Sequence, residues 1–115
     1  MQMELDDSQV GCTGVRLVGR LDAAGADALS TPFTAAIVAA NRPAWVDLAQ
    51  VEFVSSMGIR LLVSTAKAQR LKGHALVFFD AQPRVQQTFE DACVDQVLQF
   101  APDRSNAMAM MGPAR

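Results

Sequence analysis

Two adjacent serines, Ser55 and Ser56, are the residues best suited to chemistry in this chain, because they follow an apolar segment and open a segment of helical periodicity. The helical pattern comes from apolar residues that share one face at three- and four-residue spacing: Ile59, Leu62, Val63 and Ala66. A serine at a helix start ordinarily accepts a hydrogen bond from an unpaired N–H of the first turn. Those N–H groups and the helix dipole also favour a phosphate. Ser56 is therefore predicted to cap the helix or to be phosphorylated, and the two roles are compatible.

Other residues that could perform catalysis or bind a metal are sparse. The single histidine, His74, falls at a predicted helix-to-strand turn, where a solvated side chain is its ordinary role. Without a second histidine, nothing completes a Ser-His-acid hydrolase, and the chain has no phosphate-binding loop of the Walker type. Cys12 and Cys93 lie far apart and do not have metal-ligand spacing. We therefore expect no catalysis, no metal and no cofactor.

Size and charge narrow the class of protein further. The 115 residues make one domain (1–115), of which 50% are apolar and 19% charged. The net charge of −2 argues against nucleic acid as the main partner, since that binding requires clustered excess Lys and Arg. The longest apolar run, residues 35–40, is too short to cross a bilayer, and no secretory signal is visible. We expect a cytoplasmic protein with reduced thiols and no membrane insertion.

Strands and helices alternate around the serines. Strands are predicted over residues 10–18, 44–49 and 75–79, and helices over 23–40, 56–71 and from 83 to 92. Residues 94–100 fit either a strand or a helix, and 107–111 fit a small last helix. Pro32 is predicted to kink or divide its helix, Gly73 to end the helix before it, and Pro83 to open the next one. This alternation predicts an α/β fold with a small mixed sheet of four to five strands layered against helices.

Three segments resemble the STAS domain, in the small stand-alone form called the anti-sigma-factor antagonist. Residues 18–22, VGRLD, are similar to the family's glycine-x-leucine-aspartate turn before an alanine-rich helix. Residues 46–48 and 51–59 are similar to its strand and to the loop usually written Asp-Ser-Ser/Thr-Gly-Leu. Residues 71–77, LKGHALV, are similar to the helix end and the following strand. The second segment is the specific one, and the resemblance covers about residues 10–110.

The resemblance implies a bacterial partner-switching protein that regulates transcription. In the family, a partner serine kinase that is itself an anti-sigma factor phosphorylates the serine two positions before the glycine, and a metal-dependent Ser/Thr phosphatase removes the phosphate. These positions correspond to Ser56 and Gly58. The family's aspartate before this serine is replaced by Ser55, which leaves one carboxylate fewer beside the hydroxyl and makes Ser55 a second candidate acceptor.

The partner-binding surface implied by the resemblance consists of the residues around this loop: Asp22, Ser55, Ser56, Met57, Gly58, Ile59 and Arg60. Several of them have structural alternatives. Asp22 is expected either to cap the helix that begins near residue 23 or to orient the hydroxyl or a nucleotide phosphate. Gly58 is expected to keep the first turn slim for a partner's close approach, and Ile59 is expected either to contact the partner or to pack in the core.

Three functions are consistent with these features. The first is the phosphorylation switch, in which the unmodified protein binds the kinase and phosphate on Ser56 releases it. The second is a constitutive scaffold or subunit of a larger assembly, such as a transporter or a stress complex, in which the serine is only a cap. The third is a nucleotide-binding regulatory domain that uses Asp22 and the loop at Ser55 and Ser56.

Overall fold

The computed structural model describes residues 1–6 and 11–111, which form one mixed sheet with helices packed against it. The strands are β1 (Gln2–Asp6), β2 (Thr13–Leu21), β3 (Ala44–Val54), β4 (Leu76–Phe79) and β5 (Gln99–Ala101). The α-helices are α1 (Ala23–Thr34), α2 (Ser56–Leu71), α3 (Pro83–Asp91) and α4 (Arg104–Met110). A π-helical turn (Ala35–Ala39) extends α1, and a 3₁₀ turn (Val94–Gln96) precedes β5.

The five strands lie in the order β1-β2-β3-β4-β5. Strand β1 is antiparallel to β2, and every other neighbouring pair is parallel. Parallel neighbours need a crossover connection, and α1, α2 and α3 supply the three crossovers. The predicted α/β class and mixed sheet of four to five strands are therefore confirmed.

Alternate residues of the strands face two separate apolar layers. The main layer combines one side of the sheet with α1, α2 and α3, and its members include Val15, Leu17, Val46, Leu48, Phe78, Leu29, Phe33, Leu62 and Phe89. The residues between them, Trp45, Val77 and Phe79, pack on the opposite side against Ala107 of α4. The Arg104 guanidinium lies 4.5 Å from the centre of the Trp45 ring and pairs with Asp6 at 3.2 Å, which ties α4 to the sheet.

Helices were predicted more closely than strands. Helix α2 covers the predicted 56–71, Gly73 follows its end with a φ of 78°, and Pro83 opens α3. The helix predicted over 23–40 is not divided at Pro32. It continues through the proline and changes to π-helical turns at Ala35, three residues after the position that lacks an N–H group.

The strand boundaries needed larger corrections. Strand β3 runs to Val54 instead of 49, β2 runs from Thr13 to Leu21, and residue 10, predicted as its start, lies outside the described residues. Strand β1 was not predicted, because the polar side chains of an edge strand give no buried pattern. Residues 94–100 divide into the 3₁₀ turn and β5. The last helix begins three residues early, at Arg104, because Asp103 caps it.

The carboxylate of Asp80 has an unfavourable position just after β4. The residue is exposed as a whole and adopts a left-handed conformation with φ of 60°. Partial burial of the carboxylate, followed by repulsion from Asp47 and Asp103, raises the pKa of Asp80 above its ordinary value of 3.8. At neutral pH the charge on Asp80 therefore opposes folding.

Candidate functional site

The candidate site lies where β2 and β3 end beside each other. Leu21 pairs with Val54 at the last position of both strands, and Arg20 pairs with Phe53 just before it. Because the strands are parallel, the helices that follow them, α1 and α2, begin at the same edge of the sheet. A hydrogen bond between Ser55 and Leu21, which are 34 residues apart in the chain, therefore joins the segment 51–59 to the segment 18–22.

Ser55, not Ser56, is the N-cap of α2. Its backbone is extended (φ −92°, ψ 172°), and its Oγ accepts a hydrogen bond from the N–H of Gly58 at 3.2 Å. The same hydroxyl donates to the carbonyl of Leu21 at 3.0 Å, and the Ser55 N–H donates to that carbonyl at 2.8 Å. The prediction of Ser56 as the cap is wrong, because β3 continues to Val54 and the extended backbone persists through Ser55.

Ser56 is the first residue of α2, and its side chain is exposed. In the parts of the chain that the structure describes, its hydroxyl makes no hydrogen bond, whereas the hydroxyl of Ser55 is used as both donor and acceptor. The two serines therefore differ in what a modifying enzyme could reach. Ser55 is half-buried and holds the helix start, while Ser56 is open to solvent.

Gly58 fits α2 against the end of β2. The residue is buried, and a Cβ atom added there would lie 2.6 Å from the Cγ and 2.8 Å from the carbonyl oxygen of Leu21. The missing side chain at Gly58 therefore allows close packing inside the domain. From the sequence, the glycine was expected to leave space for a partner. Ile59, next in the chain, is half-buried and packs against the main apolar layer, so the core alternative is confirmed for it.

Asp22 caps α1 as Ser55 caps α2. Its backbone is extended, and its Oδ1 accepts a hydrogen bond from the N–H of Gly25 at 2.8 Å. The capping alternative for Asp22 is thereby confirmed. Its carboxylate is half-buried and already has this partner, so Asp22 and Ser55 are a pair of caps that fix the starts of two helices at one edge of the sheet.

Exposed apolar and basic side chains lie at the edge of the sheet where α2 begins. Met57 is 48% exposed and Phe53 is 38% exposed. The guanidinium of Arg20 lies 4.5 Å from the centre of the Phe53 ring, in a cation–π arrangement. Arg60 is exposed one turn after Ser56. Arg20, Phe53, Ser56, Met57 and Arg60 are called the Ser56 surface below.

Arg20 and Phe53 were not among the predicted site residues. Phe53 was assigned to a loop, and only the pairing of β2 with β3 brings Arg20 beside it. The available signal was the continuation of apolar residues at 51, 53 and 54, which extends the strand toward the serines. An extension of β3 would have placed Phe53 at the strand end.

The remaining chemically active side chains lie elsewhere. His74 follows the far end of α2, and its Nε2 lies 3.1 Å from Oδ1 of Asn41. Cys12 is buried, Cys93 is exposed, and both are free thiols. Within residues 1–6 and 11–111, no cluster of His, Cys, Asp and Glu has the arrangement of a metal site. The helices over the same ranges include none long and apolar enough to span a bilayer.

The start of α2, with its exposed serine, its capping serine and its buried glycine, is part of a longer stretch of this chain that is similar to a known protein family. The family model of the STAS domain matches residues 6–107. This chain belongs to the STAS domain family. The match contains β2 to β5, α1 to α3 and the whole Ser56 surface.

Individual relatives carry the name anti-sigma factor antagonist, and the solved structures among them have the same fold. The chain is 26% identical over 106 residues to BtrV of Bordetella bronchiseptica, a candidate anti-sigma factor antagonist, covering 92% of this chain and 88% of that protein. The structure superposes on an anti-sigma factor antagonist from Mycobacterium paratuberculosis with a TM-score of 0.81 at 24% identity, covering 97% and 94% of the two chains.

A third relative has been solved in two chemical states. The anti-sigma factor antagonist SpoIIAA in its unphosphorylated form superposes with a TM-score of 0.74 at 13% identity, covering 99% of this chain and 100% of that chain. The phosphorylated form of SpoIIAA from Bacillus superposes with a TM-score of 0.64 at 14% identity, covering 95% and 98%. At these identities the superpositions show the fold.

Proposed function

We propose that this protein is an anti-sigma factor antagonist that exchanges partners through phosphorylation of Ser56. The unphosphorylated protein binds a cytoplasmic serine kinase that acts as an anti-sigma factor. Phosphorylation of Ser56 then dissociates this protein from the kinase. The observation that carries the proposal is the difference between the two serines. Ser56 offers an exposed hydroxyl at the family's loop that makes no hydrogen bond with the described residues, whereas the Ser55 hydroxyl both donates and accepts a hydrogen bond.

Phosphorylation changes the surface and leaves the fold in place. A phosphoserine adds about −1.5 to −2 charges and three acceptor oxygens at neutral pH. The Ser56 hydroxyl holds no internal contact within the described residues, so its modification breaks none, and the start of α2 favours negative charge. The helix start itself is fixed by Ser55 and the carbonyl of Leu21. We therefore expect the free energy of unfolding to change little when Ser56 is phosphorylated.

The release mechanism acts at the partner interface. Met57 and Phe53 supply apolar contact area, and Arg20 and Arg60 supply positive charge around Ser56. This combination suits a partner that presents an apolar contact area surrounded by acidic groups. A phosphate at the centre of that contact is repelled by the acidic groups and loses its water. A penalty of about 3 kcal/mol weakens binding more than a hundredfold, which is enough to exchange partners.

The proposal is tested first by the modification itself. The protein is purified from its native cells under several growth conditions, its intact mass is measured, and any added phosphate is mapped by peptide sequencing. Phosphate on Ser56 supports the proposal. Phosphate on Ser55 alone contradicts the residue assignment, and no phosphate under any condition favours the constitutive scaffold.

The second test is binding. A Ser56→Ala variant is used to capture the kinase, and its affinity is compared with those of the wild type and of Ser56→Asp. We expect Ser56→Ala to bind as tightly as the unmodified wild type and Ser56→Asp to bind more weakly, with all three proteins folded. Equal affinities for the three forms would contradict a switch at Ser56. Treatment of the phosphorylated protein with a metal-dependent Ser/Thr phosphatase is expected to restore binding.

Nucleotide binding separates the remaining alternative. The switch requires ATP on the kinase, so calorimetric titration of this protein alone with purine nucleotides should show no binding. The Asp22 carboxylate, which the nucleotide alternative requires, already accepts a hydrogen bond from Gly25.

A further inference from the structure

We propose that Arg60 binds the phosphate of phosphorylated Ser56 within helix α2. The inference rests on the proposed phosphorylation of Ser56 and adds a residue of this chain that recognises the modified side chain. The phosphate and the guanidinium would form an intramolecular pair on the exposed face of the first two helical turns. Phosphorylation would then both add charge and engage an arginine that is free in the unmodified protein.

Helix geometry brings the two side chains together. Ser56 and Arg60 both belong to α2 and are four residues apart, so their Cβ atoms are about 5–6 Å from each other on one face. Every Cα–Cβ bond of an α-helix tilts toward the N-terminus, so the side chain of Arg60 leans toward the turn that contains Ser56. The Ser56 side chain tilts the same way, so the pairing depends on the length of the arginine, which reaches several ångströms beyond its Cβ to the phosphate.

Arg60 has no competing partner in the described parts of the chain. Neither a hydrogen bond nor an ion pair of Arg60 occurs within residues 1–6 and 11–111, and the residue is exposed. The other basic residues near or on this helix are engaged or distant. Arg20 lies over the Phe53 ring, and Arg70 donates to the carbonyl of Val97.

The chemistry of the two groups matches. A guanidinium is planar, always charged at physiological pH, and donates parallel N–H bonds to two oxygens of one phosphate. It stabilises the dianion more than the monoanion, and so it lowers the pKa of the second phosphate ionisation, which is about 6 for a phosphoserine in water. This shift is a signature of the pair in variants whose α2 is intact, because the helix start itself also favours the dianion.

The experiment uses protein that carries phosphoserine at position 56 from co-translational incorporation, so that no cellular kinase is needed. The pKa of the phosphate is measured by ³¹P NMR titration at 0.15 M salt in three proteins: the parent, Arg60→Gln and Lys67→Gln. Lys67 is a matched control, since it is exposed on the same helix and carries the same charge. It lies about 16 Å along the axis from Ser56, about twice the Debye length at this ionic strength.

We expect the phosphate pKa to be lower in the parent than in Arg60→Gln by roughly 0.2–0.7 units, with Lys67→Gln equal to the parent. Arg60→Lys should fall between the parent and Arg60→Gln, because a lysine keeps the charge but not the planar fork. Other charged groups at this edge, Arg20, Asp22 and Glu52, are the same in all variants, so their influence cancels in the comparison.

Equal phosphate pKa values in the parent and in Arg60→Gln would overturn the pairing, as would equal shifts in Arg60→Gln and Lys67→Gln. Circular dichroism of each variant confirms that α2 is intact, which is expected because both substituted side chains are exposed. This outcome is separate from the test of the proposed function. The pairing is measured on installed phosphoserine, whereas the function fails if native protein carries no phosphate on Ser56.

Discussion

Replacing each serine by alanine should show that the Ser55 hydroxyl contributes to stability and that the Ser56 hydroxyl does not. In Ser55→Ala, α2 loses the oxygen that accepts the N–H of Gly58, and that N–H has no other partner among the described residues. The carbonyl of Leu21 loses one donor but keeps the backbone N–H of residue 55 at 2.8 Å. In Ser56→Ala no internal hydrogen bond is lost within the described residues.

The magnitudes follow from these contacts. Loss of an N-cap costs about 1 kcal/mol, within a range of roughly 0.5–2 kcal/mol. The retained N–H bond at Leu21 limits the additional cost, so Ser55→Ala is expected to lower the free energy of unfolding by about 1–2 kcal/mol. For a domain of this size the midpoint temperature should fall by roughly 4–8 °C. Ser56→Ala should stay within about 0.5 kcal/mol of the wild type.

Urea unfolding followed by the fluorescence of Trp45 measures both variants. Trp45 is the only tryptophan and is fully buried, so its emission reports the loss of the folded state. Ser55→Asp serves as the control: aspartate is an equally good cap for the N–H of Gly58 but cannot donate to the Leu21 carbonyl, so it should lose less stability than alanine. A larger loss in Ser56→Ala than in Ser55→Ala would refute the assignment of the cap and, with it, the argument that Ser56 is free for modification.

Three further changes test other parts of the structure. Gly58→Ala should lower the free energy of unfolding, measured by urea unfolding, by roughly 1–2 kcal/mol. The cost of overpacking the new Cβ atom against Leu21 is larger than the gain in helix propensity, which is about 1 kcal/mol. Asp22→Ala should cost about 1 kcal/mol through loss of the α1 cap, while phosphorylation of Ser56 by the captured kinase proceeds at an unchanged rate. Asp80→Asn should stabilise the protein at pH 7, because the folded state raises the pKa of Asp80. Thermal melts at several pH values should show this gain in stability shrinking as the pH falls through the raised pKa of Asp80 toward 3.8, because the wild-type carboxylate then becomes neutral. A gain that does not depend on pH would contradict the electrostatic explanation.

The helices were predictable because their signals are local. Periodic apolar residues gave α2 its extent, and Pro83 and Gly73 marked a beginning and an end through backbone chemistry that acts within a few residues. The short buried strand β4 was equally clear from its four apolar residues. These elements alone were sufficient to predict the α/β class.

The strand ends were less predictable because they depend on partners elsewhere in the chain. The pairing of β2 with β3 contains register shifts between Arg16 and Val18 and between Gly19 and Arg20. Such irregularities interrupt the alternation of buried and exposed residues, so the last five residues of β3 resembled a loop in sequence. Strand β1 lies at the edge of the sheet beside β2 and exposes most of its side chains, so its sequence gave no buried pattern.

The N-cap of α2 was predicted to within one residue, and that residue matters. The sequence indicated serines at a helix start, but both candidates have the same side chain. Ser55 is the cap because its N–H and its hydroxyl both donate hydrogen bonds to the carbonyl of Leu21, which holds the residue in place. A contact between residues 34 positions apart is invisible to local pattern analysis.

The assignment of the cap also supports the proposal that Ser56, and not Ser55, accepts the phosphate. Transfer of a phosphate to Ser55 would replace the hydrogen that its hydroxyl donates to Leu21 with a dianion beside that carbonyl, and would displace the acceptor of the Gly58 N–H. Modification there opposes the fold, whereas modification of Ser56 adds charge to a side chain that makes no internal contact within the described residues. A kinase that approaches this edge therefore meets one reactive hydroxyl and one that the domain has already used. The choice between two adjacent serines is, on this reasoning, made by the substrate's own hydrogen bonds before any enzyme binds.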